Sequence, residues 1–224
     1  MHLDLTDMKT ILLTLCLALP LAGLTGSALA QAPSSTLVEA LALTPDAIRG
    51  GVLYAEACAS CHRADGAGRA GGEMPALAGQ HASVTLRHLI EVREGRRLNP
   101  DMKQALRDEP LGLQALADIA LHIRQIPPAD ARKVAGPGSH RERGAALYRR
   151  DCTGCHGDDA QGVAEKYGPA MAGQHYPFLW RELNLIQRGM RGNSDPEMRQ
   201  VLVRYSPEDL HSLADHLSQL NPSR

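Results

Sequence analysis

The chain has 224 residues, room for one or two domains, and its 43% hydrophobic and 22% charged content excludes a disordered protein. A formal net charge of −1 provides no basic footprint, which argues against a nucleic-acid partner. Aromatic side chains supply only 3%, so the core is either helical and filled with Leu and Ala or filled by something other than side chains.

In chain order, Lys9 precedes an apolar run over 11–24 that ends in Ser27-Ala28-Leu29-Ala30. A charged start, a short apolar stretch and an Ala-x-Ala end make a secretory signal peptide of residues 1–30, cut after Ala30 and taking Cys16 with it. The run is shorter than the ~20 apolar residues that span a bilayer. The bulky Leu15 before Cys16 argues against lipoprotein processing. Asp4 and Asp7 are unusual ahead of a signal, which leaves Met1 and Met8 as alternative starts. Removal of one Lys and two Asp leaves a formally neutral segment with no long-range charge preference for a partner.

Thr44-Pro45-Asp46 then offers a helix start, with Thr44 as N-cap and Pro45 at the first helical position. Cys58-Ala59-Ser60-Cys61-His62 follows, and Pro75 stands thirteen positions beyond His62. Ala78-Gly79-Gln80-His81 opens a helix with Leu86, Leu89 and Ile90 on one face. After Gly95, Arg97, Asn99 and Met102, a last helix carries Leu113, Leu116, Ala117, Ala120 and Ile123. Residues 127–139, with three Pro, two Gly and little apolar content, form a short linker between a domain at 31–126 and one at 140–224.

The second domain repeats the first at a shift of 94. Leu53-Tyr54 falls on Leu147-Tyr148, the first Cys-x-x-Cys-His on Cys152-Thr153-Gly154-Cys155-His156, and Pro75 on Pro169. Ala78-Gly79-Gln80-His81 falls on Ala172-Gly173-Gln174-His175, and Gly95, Arg97 and Asn99 on Gly189, Arg191 and Asn193. A step of two residues and one more then brings Leu116-Ala117-Asp118 onto Leu213-Ala214-Asp215. A unit this long means two tandem domains, because solenoid repeats are shorter. The final helix starts at Ser206-Pro207-Glu208-Asp209, with acids where its dipole favours them. Alternating strand patterns are absent, so the fold is all-α with about three main helices per domain and too few bulky side chains for an ordinary core.

Cys-x-x-Cys-His occurring twice is the strongest chemical signal. Two thiols three positions apart can add to the two vinyl groups of one haem, while the adjoining His places its imidazole on the iron. Cys58 and Cys61, and Cys152 and Cys155, are thus expected to bind two haem c groups covalently, with His62 and His156 on the irons. A zinc ribbon would need all four Cys in one site, yet the repeat puts one pair in each domain. A thioredoxin-like pair expects a βαβ pattern. A structural disulfide would leave both His unexplained. The sixth ligand should recur in both halves. Met74, Met171 and Met190 fall on Gly168, Leu77 and Arg96, whereas Met102 and Met198 lie at matching intervals before the last helix. His81 and His175 are the rival duplicated pair, equally able to satisfy backbone groups or a haem propionate. His88, His122, His140, His211 and His216 are read as unduplicated surface or helix-face residues. The Pro75 and Pro169 carbonyls could orient the two imidazoles, or each Pro could simply end a loop.

These residues resemble the class I c-type cytochromes, and specifically the dihaem cytochrome c4 family, over about residues 53–220. The resemblance lies in the paired motif, the Pro-x-Leu/Met-Ala-Gly-Gln-His element, the Gly-x-Arg stretch and the late Met. It implies two haem-wrapping helical domains, His62/Met102 and His156/Met198 ligation, and His-orienting roles for Pro75 and Pro169. It further implies a periplasmic electron carrier, not an enzyme, between a quinol–cytochrome c reductase or dehydrogenase and a terminal oxidase or reductase. Two other readings are a fixed dihaem subunit of a larger dehydrogenase and a dihaem oxidoreductase with one open iron. The sequence leaves open a peripheral position at the membrane surface. Arg63 departs from the pattern that Gly157 follows, and the helix after His81 lacks the aromatics of the family.

Overall fold

The computed structural model describes residues 33–69, 71, 74–108, 111–128 and 134–222. The expected signal segment and part of the expected linker lie outside them. The described residues are helical, with no strand and one isolated antiparallel bridge between Val163 and Gly168.

In the first half, α1 (Ser35–Leu41), α2 (Ala47–Ala57), α3 (Ala59–His62), α4 (Ala82–Arg93), α5 (Pro100–Asp108) and α6 (Leu113–Gln125) surround one core. In the second, α7 (Arg141–Asp151), α8 (Thr153–His156), α9 (Tyr176–Gln187), α10 (Pro196–Leu202) and α11 (Pro207–Ser218) surround another. The N-cap of α2 is Asp46 rather than Thr44: its carboxylate accepts from the Ile48 and Arg49 N–H groups. A carboxylate accepts such bonds more strongly than a hydroxyl, so the helix begins two residues later than its Pro suggested. The α11 start is as expected, with a capping box between Ser206 and Asp209.

In each half the first and last long helices cross at a glycine. A Cβ on Gly50 would lie 2.0 Å from the Asp118 carbonyl oxygen, and one on Gly144 1.9 Å from that of Ser212. Beside the crossings, Tyr54 packs on His122 and Tyr148 on His216, with ring centroids 5.4 and 5.8 Å apart. The Gly79 N–H donates to the Ile123 carbonyl as the Gly173 N–H does to that of Leu217. All these pairs keep the shift of 94, which corrects the sequence alignment of the last helix. Asp118 lies opposite Ser212, not Asp215, and His122 and His216 are duplicated core-edge residues. The two Asp nevertheless do one job from positions a helical turn apart. Asp118 accepts from the Asp46 N–H at 2.8 Å, and Asp215 from the equivalent His140 N–H at 2.9 Å.

The halves meet across a pseudo-two-fold axis. Gln80 exchanges two hydrogen bonds with the backbone of Ala170, and Gln174 two with that of Ala76. His81 Nε2 bonds the Gln161 carbonyl at 2.8 Å, and His175 Nε2 the Ala67 carbonyl at 2.9 Å. Arg87 lies over the Tyr167 ring, 5.3 Å from its centroid, which fastens the second half's loop to the first half's core.

Candidate functional site

Helix α2 runs into Cys58, whose carbonyl accepts from the Cys61 and His62 N–H groups at 3.2 and 2.9 Å. This single turn sets the two thiols on one side, three positions apart, with the imidazole next to them. Cys152, Cys155 and His156 repeat it, with distances of 3.2 and 3.0 Å. Cys58 and Cys152 are half-buried, while Cys61 and Cys155 are exposed, and none of the four is in a disulfide. Burial pushes Cys58 up to about 11 and Cys152 up to about 12, so neither is the low-pKa thiolate of a dithiol redox pair. Among the described residues no three His, Cys, Asp or Glu converge to hold a metal ion.

Each histidine is then turned by the loop after it. The Gly68 N–H donates to the His62 carbonyl and the Arg69 N–H to that of Met74, which folds the chain back under the imidazole. His62 Nδ1 lies 3.2 Å from the Pro75 carbonyl, and His156 Nδ1 3.3 Å from that of Pro169. The Pro residues therefore do more than end a loop. Both rings are buried, at 5% and 7% exposure, and His62 Nε2 has no partner. Burial lowers both imidazole pKa values, partly offset by the proline bonds, which keeps the rings neutral and able to ligate.

Tyr54 Oη donates to the Arg63 carbonyl at 2.8 Å and Tyr148 Oη to that of Gly157 at 2.6 Å, fixing the turn that follows each motif. Gly157 accepts this turn freely at φ 76°, ψ 162°. Arg63 is forced into the same region at φ 68°, ψ 157°, where side chains are strained.

Met102 and Met198 are half-buried against their respective cores. The Met102 N–H donates to Asn99 Oδ1 at 3.1 Å and the Met198 N–H to Asp195 Oδ1 at 3.3 Å. Both Met thus occupy the third position after a capping side chain, in Asn99-Pro100-Asp101-Met102 and Asp195-Pro196-Glu197-Met198. That paired element, offset by two from the rest of the repeat, was a readable signal the sequence analysis did not use. His81 and His175, by contrast, spend Nε2 on the opposite domain and bridge the two halves.

A charged cluster between the domains was also missed. Glu182 takes Arg97 and Arg191 at 3.3 Å each, and buried Glu91 takes Arg87 at 2.8 Å, Arg96 at 3.4 Å and Asn193 at 2.5 Å. Burial, then the neighbouring Arg97, brings Arg191 down to about 10. His88 is half-buried here, not on the surface; desolvation followed by Arg97, Arg191 and Arg87 holds it well below the ordinary histidine value. The duplicated Arg97 and Arg191, and Asn193 with its counterpart Asn99, were its sequence signal.

The donor set, with a buried unpartnered His62 Nε2, paired thiols beside each His and a Met recurring in each core, fits a covalently attached haem in each half. The sequence profile of the cytochrome c family matches residues 47–135 and again 141–221. The chain is 29% identical to a thiosulfate dehydrogenase electron acceptor of Stutzerimonas stutzeri over 178 residues, covering 74% of this chain and 80% of that protein. It is 27% identical to a cytochrome c4 of Azotobacter vinelandii over 188 residues, covering 75% and 86%. The crystal structure of reduced cytochrome c4 from Pseudomonas stutzeri superimposes with a TM-score of 0.71 at 27% identity, covering 80% of this chain and all of that one.

Proposed function

The chain belongs to the cytochrome c family, as a dihaem electron-transfer protein of the cytochrome c4 type with two covalently bound haem c groups, and from that premise we propose that it is a periplasmic carrier in which one domain accepts an electron and the other delivers it. In this reading Cys58 and Cys61, and Cys152 and Cys155, would hold the two groups, with His62/Met102 and His156/Met198 as the residues that would ligate the irons. Bound haem c would supply a one-electron ferric/ferrous couple, and Met102 and Met198 as ligands would favour the ferrous form relative to a second His. A His and a Met of the chain on each group would leave a substrate no place to bind. The remaining work of the chain is to hold the imidazoles at fixed angles through Pro75 and Pro169 and to keep water from the cores.

The observation that carries the reading is the duplicated clamp, His62 on Pro75 and His156 on Pro169, each beside its own thiol pair. Donors proposed from the resemblance are a quinol–cytochrome c reductase or a dehydrogenase, and acceptors a terminal oxidase or reductase. The similarity to a thiosulfate dehydrogenase electron acceptor favours a second reading, in which the donor is a thiosulfate-oxidising enzyme. Export rests on the signal-like residues 1–30; no described helix is long and apolar enough to cross a membrane.

A carbon monoxide titration of the reduced, exported protein tests the carrier reading. An unchanged absorption spectrum is expected; binding at one haem would instead mean an open iron and an enzyme. Reduction rates with a thiosulfate dehydrogenase and with a quinol–cytochrome c reductase then separate the two donors.

A further inference from the structure

The peptide groups beside the two histidines are engaged from the opposite domain. The Pro75 carbonyl that accepts from His62 belongs to the same peptide unit as the Ala76 N–H, and that N–H donates to Gln174 Oε1 at 3.0 Å. The Pro169 carbonyl that faces His156 shares its peptide unit with the Ala170 N–H, which donates to Gln80 Oε1, also at 3.0 Å. Each glutamine closes a second bond to the carbonyl of the same alanine, Gln174 Nε2 to Ala76 at 2.8 Å and Gln80 Nε2 to Ala170 at 3.0 Å. Neither amide is free to swing away. The Gln174 oxygen also accepts from the His175 N–H at 2.9 Å and the Gln80 oxygen from the His81 N–H at 3.0 Å, and both His rings are themselves fastened across the interface.

A peptide group whose N–H is engaged becomes more polar, and its carbonyl oxygen becomes a stronger acceptor. A stronger acceptor at Nδ1 makes the imidazole a better donor to a metal and stabilises the more oxidised ion. Resting on the haem ligation proposed above, we propose that Gln174 and Gln80 are crossed positioning residues. Gln174, in the second domain, sets the His62 imidazole of the first, and Gln80, in the first, sets His156 of the second. Each domain thereby tunes the redox couple of its neighbour through one peptide bond. A simple staple between domains would have no such crossing, because it would act on both halves alike.

The test is Gln174→Leu and Gln80→Leu in the full haem-loaded protein. Each variant is titrated potentiometrically, with the ferric haem methyl NMR signals of each domain resolving the two couples. Gln174→Leu should raise the midpoint potential of the first haem and leave the second in place, and Gln80→Leu should do the reverse. Gln174→Glu keeps an acceptor for the Ala76 N–H and adds negative charge, so it should lower the first potential rather than raise it; this variant decides the matter where a Leu variant does not fold. Equal shifts at both haems, a shift confined to the substituted domain, or no shift in a folded variant would each overturn the crossing. Failure of the ligation reading looks different: wild-type protein would then carry fewer than two covalent haems by mass, or bind carbon monoxide without substitution.

Discussion

The crossing of α7 with α11 leaves no room for a side chain at Gly144. An added Cβ would lie 1.9 Å from the Ser212 carbonyl oxygen and 2.7 Å from His216 Cβ, where ordinary contact begins at 3.4 Å. Gly144→Ala therefore forces the helices apart by about 1.5 Å at the crossing, since the obstacle is backbone and cannot rotate away. Overpacking costs about 1–3 kcal/mol where side chains can yield, so a rigid carbonyl puts this change near or above the upper value, about 3 kcal/mol. For a domain of this size each kcal/mol moves the melting temperature by roughly 4–8 °C, giving a loss of roughly 12–24 °C. Calorimetry of the haem-loaded protein reads the loss as a split transition, because only the second domain is affected. Gly50→Ala should do the same to the first domain. Gly154→Ser, at a position with open space around it, should leave both transitions in place. Since α7 leads directly into Cys152, the same displacement should also reduce haem attachment in the second domain, visible by intact mass. A Gly144→Ala protein melting within about 2 °C of wild type would refute a crossing this close.

Met102→Ala and Met198→Ala should each open one iron, so that carbon monoxide binds one haem of the reduced variant and neither haem of the wild type. Arg63→Gly should relieve a backbone strain of about 1–3 kcal/mol, offset by about 0.5–1 kcal/mol of added chain entropy; a modest rise in the first domain's melting temperature is expected, while Gly157→Arg should lower the second's. Burial alone would push the Asp118 carboxyl up, but Arg49, the Asp46 N–H and Gln114 hold it below its ordinary value. A folded-state pKa below the unfolded one means that the stabilisation is present above about pH 4 and is lost as pH falls through the folded value. Acid unfolding of the first domain should accordingly flatten in Asp118→Asn, measured by circular dichroism below pH 5.

The thiols, the buried histidines beside them and the prolines those histidines bond were legible because they sit in one unbroken register, and a short loop rather than the tertiary fold sets their spacing. The last helix was misaligned for a physical reason. A slip of three residues on an amphipathic helix turns its apolar face by only a fraction of a turn, so Leu-Ala-Asp matched Leu-Ala-Asp with both faces still apolar. What fixes the true register is the close approach at Gly50 and Gly144 and the packing of Tyr54 and Tyr148 on His122 and His216, none of which periodicity contains. The Asp match was meaningful in another way: Asp118 and Asp215 reach equivalent N–H groups from different turns. The bridging roles of Gln80, His81, Gln174 and His175 were not readable, because their partners lie 80 to 108 residues away.

The pattern of divergence between the halves separates what the interface requires from what the outside may vary. Gln, His, Pro and Arg recur at the pseudo-two-fold axis, and most of the groups they grip are main-chain carbonyls and N–H groups, which no substitution removes. A two-fold contact of that kind constrains both copies equally, since each residue is donor in one half of the contact and its counterpart is donor in the other. The outer faces carry no such constraint. On α2, Ile48 and Val52 are 85% and 56% exposed, whereas the corresponding positions of α7 hold Glu142 and Ala146, followed by Arg149 and Arg150. Helix α9 exposes Trp180, stacked on His211, where α4 has buried Leu86. Duplication thus preserved one chemistry and one internal contact while exposed positions on the helix leading to each thiol pair changed, from Ile48 and Val52 in the first half to Glu142 and Ala146 in the second. In the proposed carrier role, that difference gives donor and acceptor distinct faces to recognise.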